Sequence, residues 1–212
     1  MRIYNVTDAQ QTILKRKALN RISYSPLTIQ RTEGFFGKGI TPPRAVEIIL
    51  QSVEEDGDRA LMKWSQELDG FAGDKLSLSQ SELEQAWNQL SPAIQAALRS
   101  AADRIRTFHR QQPIESWITD NEEGRLGQRF TAIERVGVYV PGGTAPLVSS
   151  VFMTAVPARV AGVPRIVLAS PPRNDGTISP YILAAADFLG IDEVYPIGGA
   201  QAVAALAFGT RS

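Results

Sequence analysis

Gly-Gly occurs twice in this chain at the same kind of place, after an apolar run and before a helix-forming one. The two stretches are VGVYVPGGTAP, residues 136–146, and VYPIGGAQAVAALAFG, residues 194–209. Glycine lets a backbone approach a ligand closely, and a helix N-terminus offers unpaired N–H groups and a partial positive charge. Gly142, Gly143, Gly198 and Gly199 are therefore candidates for holding a phosphate-bearing or otherwise anionic ligand. Tight packing of strand against helix accounts for the same glycines equally well. Neither stretch has the Gly-x-Gly-x-x-Gly spacing of the usual dinucleotide turn. Gln201 adds an amide to the first turn of an otherwise Ala/Val/Leu helix, where it either caps the helix or reaches into a site.

Other chemistry is scarce. His109 is the only histidine and there is no cysteine. Zinc sites usually recruit several imidazoles or thiolates, so the chain is poorly equipped to hold that metal. It is equally short of general bases that titrate near neutrality. His109 stands beside Arg110 at the end of a helical pattern, where a helix-terminal role suffices. GFFGKG, residues 34–39, has glycines and a lysine but not the Gly-x-x-x-x-Gly-Lys-Ser/Thr spacing of a phosphate loop.

Composition removes several function classes. Lys plus Arg and Asp plus Glu both number 22, so no net charge recommends nucleic acid or an acidic membrane as a partner. Hydrophobic residues at 43% and charged residues at 21% are those of an ordinary globular chain. The start, MRIYNVTDAQQ, lacks the apolar core of a signal peptide. No apolar run reaches the ~18 residues that would read as a membrane span. Cytoplasm is the expected location.

The elements that must position the glycines fall into three stretches. Residues 1–40 read as an arm. It holds a short helix capped by Thr7 or Asp8, then TEGFFGKGIT, whose three glycines break regularity; Phe35 and Phe36 need burial, for instance on a partner chain. Residues 41–133 read as mainly helical. Thr41 caps a helix with Pro42 and Pro43 in its first turn, and Gly57 ends it. Another helix closes near Gly70. Ser79 and Glu82 form a capping box before Leu83 and Ala86. Ser91-Pro92 starts a helix with Ile94, Leu98, Ala101, Ile105 and Phe108 on one apolar stripe. WITDNEEGRLGQRF reads as extended segments about a turn at residues 121–124. From residue 134 buried strands alternate with helices: VGVYV, a helix containing Pro157, RIVLAS, a helix begun by Ser179-Pro180, EVYPIG, and the helix after Gly198-Gly199. That alternation marks βαβ units and a parallel sheet, an α/β fold.

VGVYVPGGTAPLVSSVFMTAVPARVAGVPRIVLASPP and GGAQAVAALAFGT together closely resemble histidinol dehydrogenase, and GDRALMKWSQELDG and AADRIRTFHRQQ are similar to that family's N-terminal part. The resemblance covers about residues 41–210. It implies a Rossmann-like, aldehyde-dehydrogenase-like fold and a zinc-dependent homodimer with a swapped N-terminal arm. It also implies an enzyme oxidising L-histidinol to L-histidine in two NAD-dependent steps through an enzyme-held aldehyde. Residues 134–212 would form the NAD-binding domain. Tyr139 and Gln201 would contact NAD, with Pro141, Gly142 and Gly143 lining the same loop by position.

The departures matter as much. The family chain is roughly twice as long. Its asparagine in a GPGN motif, its zinc ligands and its Glu-His acid–base pair have no counterpart here. The expectation is an N-terminal portion with an incomplete sheet, inactive alone. The alternative is a non-catalytic nucleotide-binding or interaction module on the same fold.

Overall fold

A computed structural model describes residues 3–15, 23–73, 75–112, 115–142, 146–173 and 175–211. The chain divides into two compact units, residues 1–47 and 48–212. The first holds α1 (Val6–Gln11), α2 (Pro26–Phe36) and the opening turns of α3 (Pro42–Asp56). The cap of α1 is Asn5, not Thr7 or Asp8. Asn5 Oδ1 accepts the Asp8 N–H at 2.8 Å, which places Thr7 and Asp8 inside the helix. α2 overturns the irregular reading of TEGFFG. Ser25 accepts the Thr28 N–H, Pro26 occupies the first turn, and the helix continues through Gly34 to Phe36. Phe35 is 57% exposed.

In the second unit α3 is followed by α4 (Asp58–Asp69), α5 (Gln80–Asn88) and α6 (Pro92–Arg110). A hairpin of β1 (Trp117–Asn121) and β2 (Gly124–Gln128) comes next; all ten strand residues are exposed. Then β3 (Arg135–Tyr139), α7 (Val148–Val160), β4 (Arg165–Ala169), α8 (Pro180–Phe188), β5 (Glu193–Tyr195) and α9 (Gly199–Phe208) alternate as the sequence predicts. The three last strands form one parallel sheet in the order β3-β4-β5, with Val138 beside Leu168 and Leu168 beside Val194.

Alternation along the strands divides the sheet into two faces. Val138, Ile166, Leu168 and Val194 join Phe152, Val156, Ile182 and Leu83 in the larger core, built with α5 to α8. Burying such side chains fully contributes about 1.5–3 kcal/mol each. Ala169 and Tyr195 face the other way, toward Leu61 of α4 and Ala202 and Ala205 of α9. α5 packs on α8 and α6 on α7, while α4 meets α9. Ser79 and Glu82 make the predicted capping box. Pro157 lies inside α7 without ending it. The α6 stripe is less buried than its pattern suggests: the buried residue of the helix is Ala102, beside the stripe, while Phe108 is 65% exposed, edge-on to His109.

Candidate functional site

Parallel strands carry their chains out at one common end, and polar groups collect there. β3 delivers Tyr139, Val140, Pro141 and Gly142. β4 delivers Ser170 and Pro171, and β5 delivers Ile197 and Gly198. The C-terminal residue of α4, Asp69, comes to the same place.

The start of α9 shows how these groups interlock. Asp69 Oδ2 accepts the Gly198 N–H at 3.1 Å and the Gln201 Nε2 at 2.9 Å. The Tyr139 hydroxyl accepts the Gly199 N–H at 3.2 Å. Two donors at the helix start are thus satisfied by side chains from α4 and β3. The negative charge that a helix N-terminus favours is supplied by the chain's own Asp69 carboxylate. Burial pushes the Asp69 carboxyl above its ordinary value, and the bonds from Gly198 and Gln201 oppose that shift.

Gln201 is fully buried, and its Oε1 has no hydrogen-bond partner among the described residues. Gly199, at φ +60°, is the backbone on which that oxygen rests. A Cβ there would lie 2.6 Å from it. Only glycine meets both the left-handed geometry and the close approach. Gly142 is constrained by close approach alone: a Cβ would stand 2.7 Å from Ser170 Oγ and 2.8 Å from the Pro171 carbonyl oxygen. Ser170 Oγ is buried and likewise without a partner among the described residues. Gly143, the remaining candidate in this loop, lies outside the described residues.

The structure therefore gathers Tyr139, Gly142, Gly198, Gly199 and Gln201 at one end of the sheet. Asp69 and Ser170 belong to the same cluster and escaped sequence reasoning. The one available signal for Asp69 was a carboxylate directly before Gly70, the left-handed residue that ends α4. His109 closes the last turn of α6, with Nδ1 2.6 Å from Gln112 Oε1, and takes no part in these bonds. A cavity of about 330 Å³ lies on the α4/α9 face, with Ile197 but none of these polar groups in its wall. Its wall includes Gly137, Val167 and Leu206, with Arg135 and Glu193 where the strands begin. Among the described residues no group of three or more His, Cys, Asp or Glu side chains is placed to hold a metal ion. The donor set present does not fit zinc.

Helices on both faces of a parallel sheet, with polar groups beyond the carboxyl ends of its strands, define an α/β protein with an incomplete sheet, a class whose ligands commonly bind beyond those strand ends. The sequence model of histidinol dehydrogenase matches residues 41–212. A histidinol dehydrogenase of Deinococcus radiodurans is 47% identical over 196 residues, which are 92% of this chain and 44% of that protein. One from Geobacillus kaustophilus is 46% identical over 170 residues, 80% of this chain and 40% of its own length. The crystal structure of histidinol dehydrogenase from Elizabethkingia anophelis superposes with a TM-score of 0.76 at 31% identity, over 86% of this chain and 43% of that one. The chain belongs to the histidinol dehydrogenase family, a family of oxidoreductases, and spans less than half the length of these relatives.

Proposed function

We propose that this chain is the N-terminal, cofactor-holding part of a histidinol dehydrogenase acting in the cytoplasm at the end of histidine biosynthesis. The whole enzyme would carry out the NAD-dependent, four-electron oxidation of L-histidinol to L-histidine through L-histidinaldehyde. The observation that carries this reading is the meeting of Tyr139, Asp69 and Gln201 at the start of α9, with a buried Gln201 oxygen that has no hydrogen-bond partner among the described residues. Bound there, NAD would supply the hydride acceptor.

The chain's own residues hold and orient. Gln201 Oε1 offers an acceptor, and Tyr139, 36% exposed, offers a phenol face and an oxygen already tied to the helix start. Pro141, Gly142 and Gly143 would line the loop beside it. Residues 134–212 would be the NAD-binding part, 41–133 its mainly helical companion and 1–40 an arm exchanged in a homodimer. The exposed Ile13, Leu14, Leu27, Ile29 and Phe35 of that arm support the exchange. Zinc and the groups that move protons from the alcohol are assigned to the other part of the enzyme, because the donors here do not fit them. Nothing favours a stand-alone binding module: each relative above is itself named a histidinol dehydrogenase.

The decisive experiment mixes this chain with a polypeptide carrying the remaining half of the family sequence, in the presence of zinc. NADH formation from L-histidinol, absent from either chain alone, is the expected result. No NADH in any reconstitution would overturn the proposal.

A further inference from the structure

The cluster contains one charged group that the glycine loops do not account for. Asp69 ends α4 and stands 132 positions before Gln201, yet a single oxygen, Oδ2, receives both the Gly198 N–H and the Gln201 amide. Holding the amide by its Nε2 end leaves the other end, Oε1, turned against Gly199. That side chain is wholly buried, and the oxygen has no partner among the described residues. Buried acceptors are almost always paired, so an orphan of this kind marks a place where a donor belongs. Phosphate commonly sits at a helix N-terminus. Here a carboxylate already stands at that position, and a second anion beside it would be repelled.

We infer that Asp69 is a positioning residue of the cofactor site. It presents Gln201 Oε1 as a hydrogen-bond acceptor, and it makes the part of the ligand seated at the start of α9 a neutral donor, a hydroxyl or an amide N–H, and not a phosphate. This rests on the reading that Gln201 faces NAD. The ribose hydroxyls and the carboxamide of NAD are such donors; its diphosphate is not.

NAD dissociation constants of the wild type, Gln201→Ala, Asp69→Ala, the double variant and Asp69→Asn test the inference. Removing one hydrogen bond to a neutral group weakens binding roughly two- to tenfold, and that is the loss expected for Q201A. D69A should lose about as much, the double variant no more than Q201A alone, and D69N, which keeps an acceptor oxygen, should recover most of it. An additive double variant would overturn the inference, since Asp69 would then act without Gln201. So would a D69A protein that binds like the wild type while Q201A is weakened, and the cofactor reading would survive that outcome. Unchanged binding by Q201A would remove the cofactor reading itself. Should D69A not fold, the side-chain amide resonances of Gln201 keep the question open to measurement: they must differ between wild type and D69N, and identical shifts refute the contact. Inorganic phosphate is the remaining probe. It should leave the Gly198 and Gly199 amide resonances of the wild type in place, and a saturable shift there would refute the donor assignment.

Discussion

Asp69 and Gln201, 132 positions apart in the chain, meet at 2.9 Å, carboxylate to side-chain amide. The contact ties the end of α4 to the first turn of α9 across the smaller face of the sheet. It brings a negative charge to a helix N-terminus, where charge is favoured, at the cost of partial dehydration.

That balance has a definite pH dependence. The ordinary aspartate value is 3.8, and burial raises it in the folded chain. The native state then holds the Asp69 proton more tightly than the unfolded state does. As pH rises from 3.8 through the folded-state value, this group's contribution makes folding less favourable, and above that window it is constant. Asp69→Asn has no such titration. Denaturant unfolding of both proteins at a series of pH values should show the wild type losing stability relative to D69N across the window. A wild type that gains on D69N there would mean that the two hydrogen bonds outweigh burial.

Gly199→Ala meets two obstacles at once. Its φ of +60° is a left-handed conformation, and the added carbon would stand 2.6 Å from Gln201 Oε1. The conformational part alone costs about 1–2 kcal/mol. An unfolding free energy lowered by at least that amount is expected from urea denaturation, with a shifted Gln201 side-chain amide resonance reporting its displacement.

Glu82 gives the opposite pH sign. The Ser79 side chain and backbone N–H both donate to its carboxylate, at 2.7 Å each, and hold its pKa below the ordinary 4.5. Its contribution is present above pH 4.5 and is lost as pH falls through the lowered folded-state value. The stability difference between wild type and Glu82→Gln should shrink over that descent. Ser79→Ala should cost about 1 kcal/mol at neutral pH. Equal midpoints for wild type and S79A would show that the capping box contributes nothing.

What the sequence revealed and what it hid divide along a physical line. β4 was legible because a strand covered on both faces reads as a continuous apolar run, β3 and β5 because they are β-branched or apolar runs that alternate with helical stretches, and α8 and α9 because Ser179-Pro180 and Gly198-Gly199 punctuate their starts. The match to histidinol dehydrogenase was legible from the two glycine stretches themselves. α2 was missed although Ser25-Pro26 repeats the signal used at Ser91-Pro92; the glycines at 34, 37 and 39 outweighed it, and helix propensity treats one interior glycine as a cost of about 1 kcal/mol, not a stop. Asp69 and Ser170 were hidden for another reason. Periodicity reports which face a residue occupies and says nothing about the distant residue it will meet. A carboxylate beside Gly70 looks like any helix end until the fold brings Gly198 to it.

The hairpin of β1 and β2 carries a consequence of its own. With all ten strand residues exposed, its cross-strand hydrogen bonds have no apolar layer to shelter them. Two strands alone are marginal in water. Its amide protons should exchange with solvent deuterium through local opening, far faster than those of β4, whose Leu168 and Ala169 are fully buried. In that sense the chain has two clocks: a ribbon that opens without disturbing the rest, and a buried central strand, β4, whose protons wait for a far larger opening.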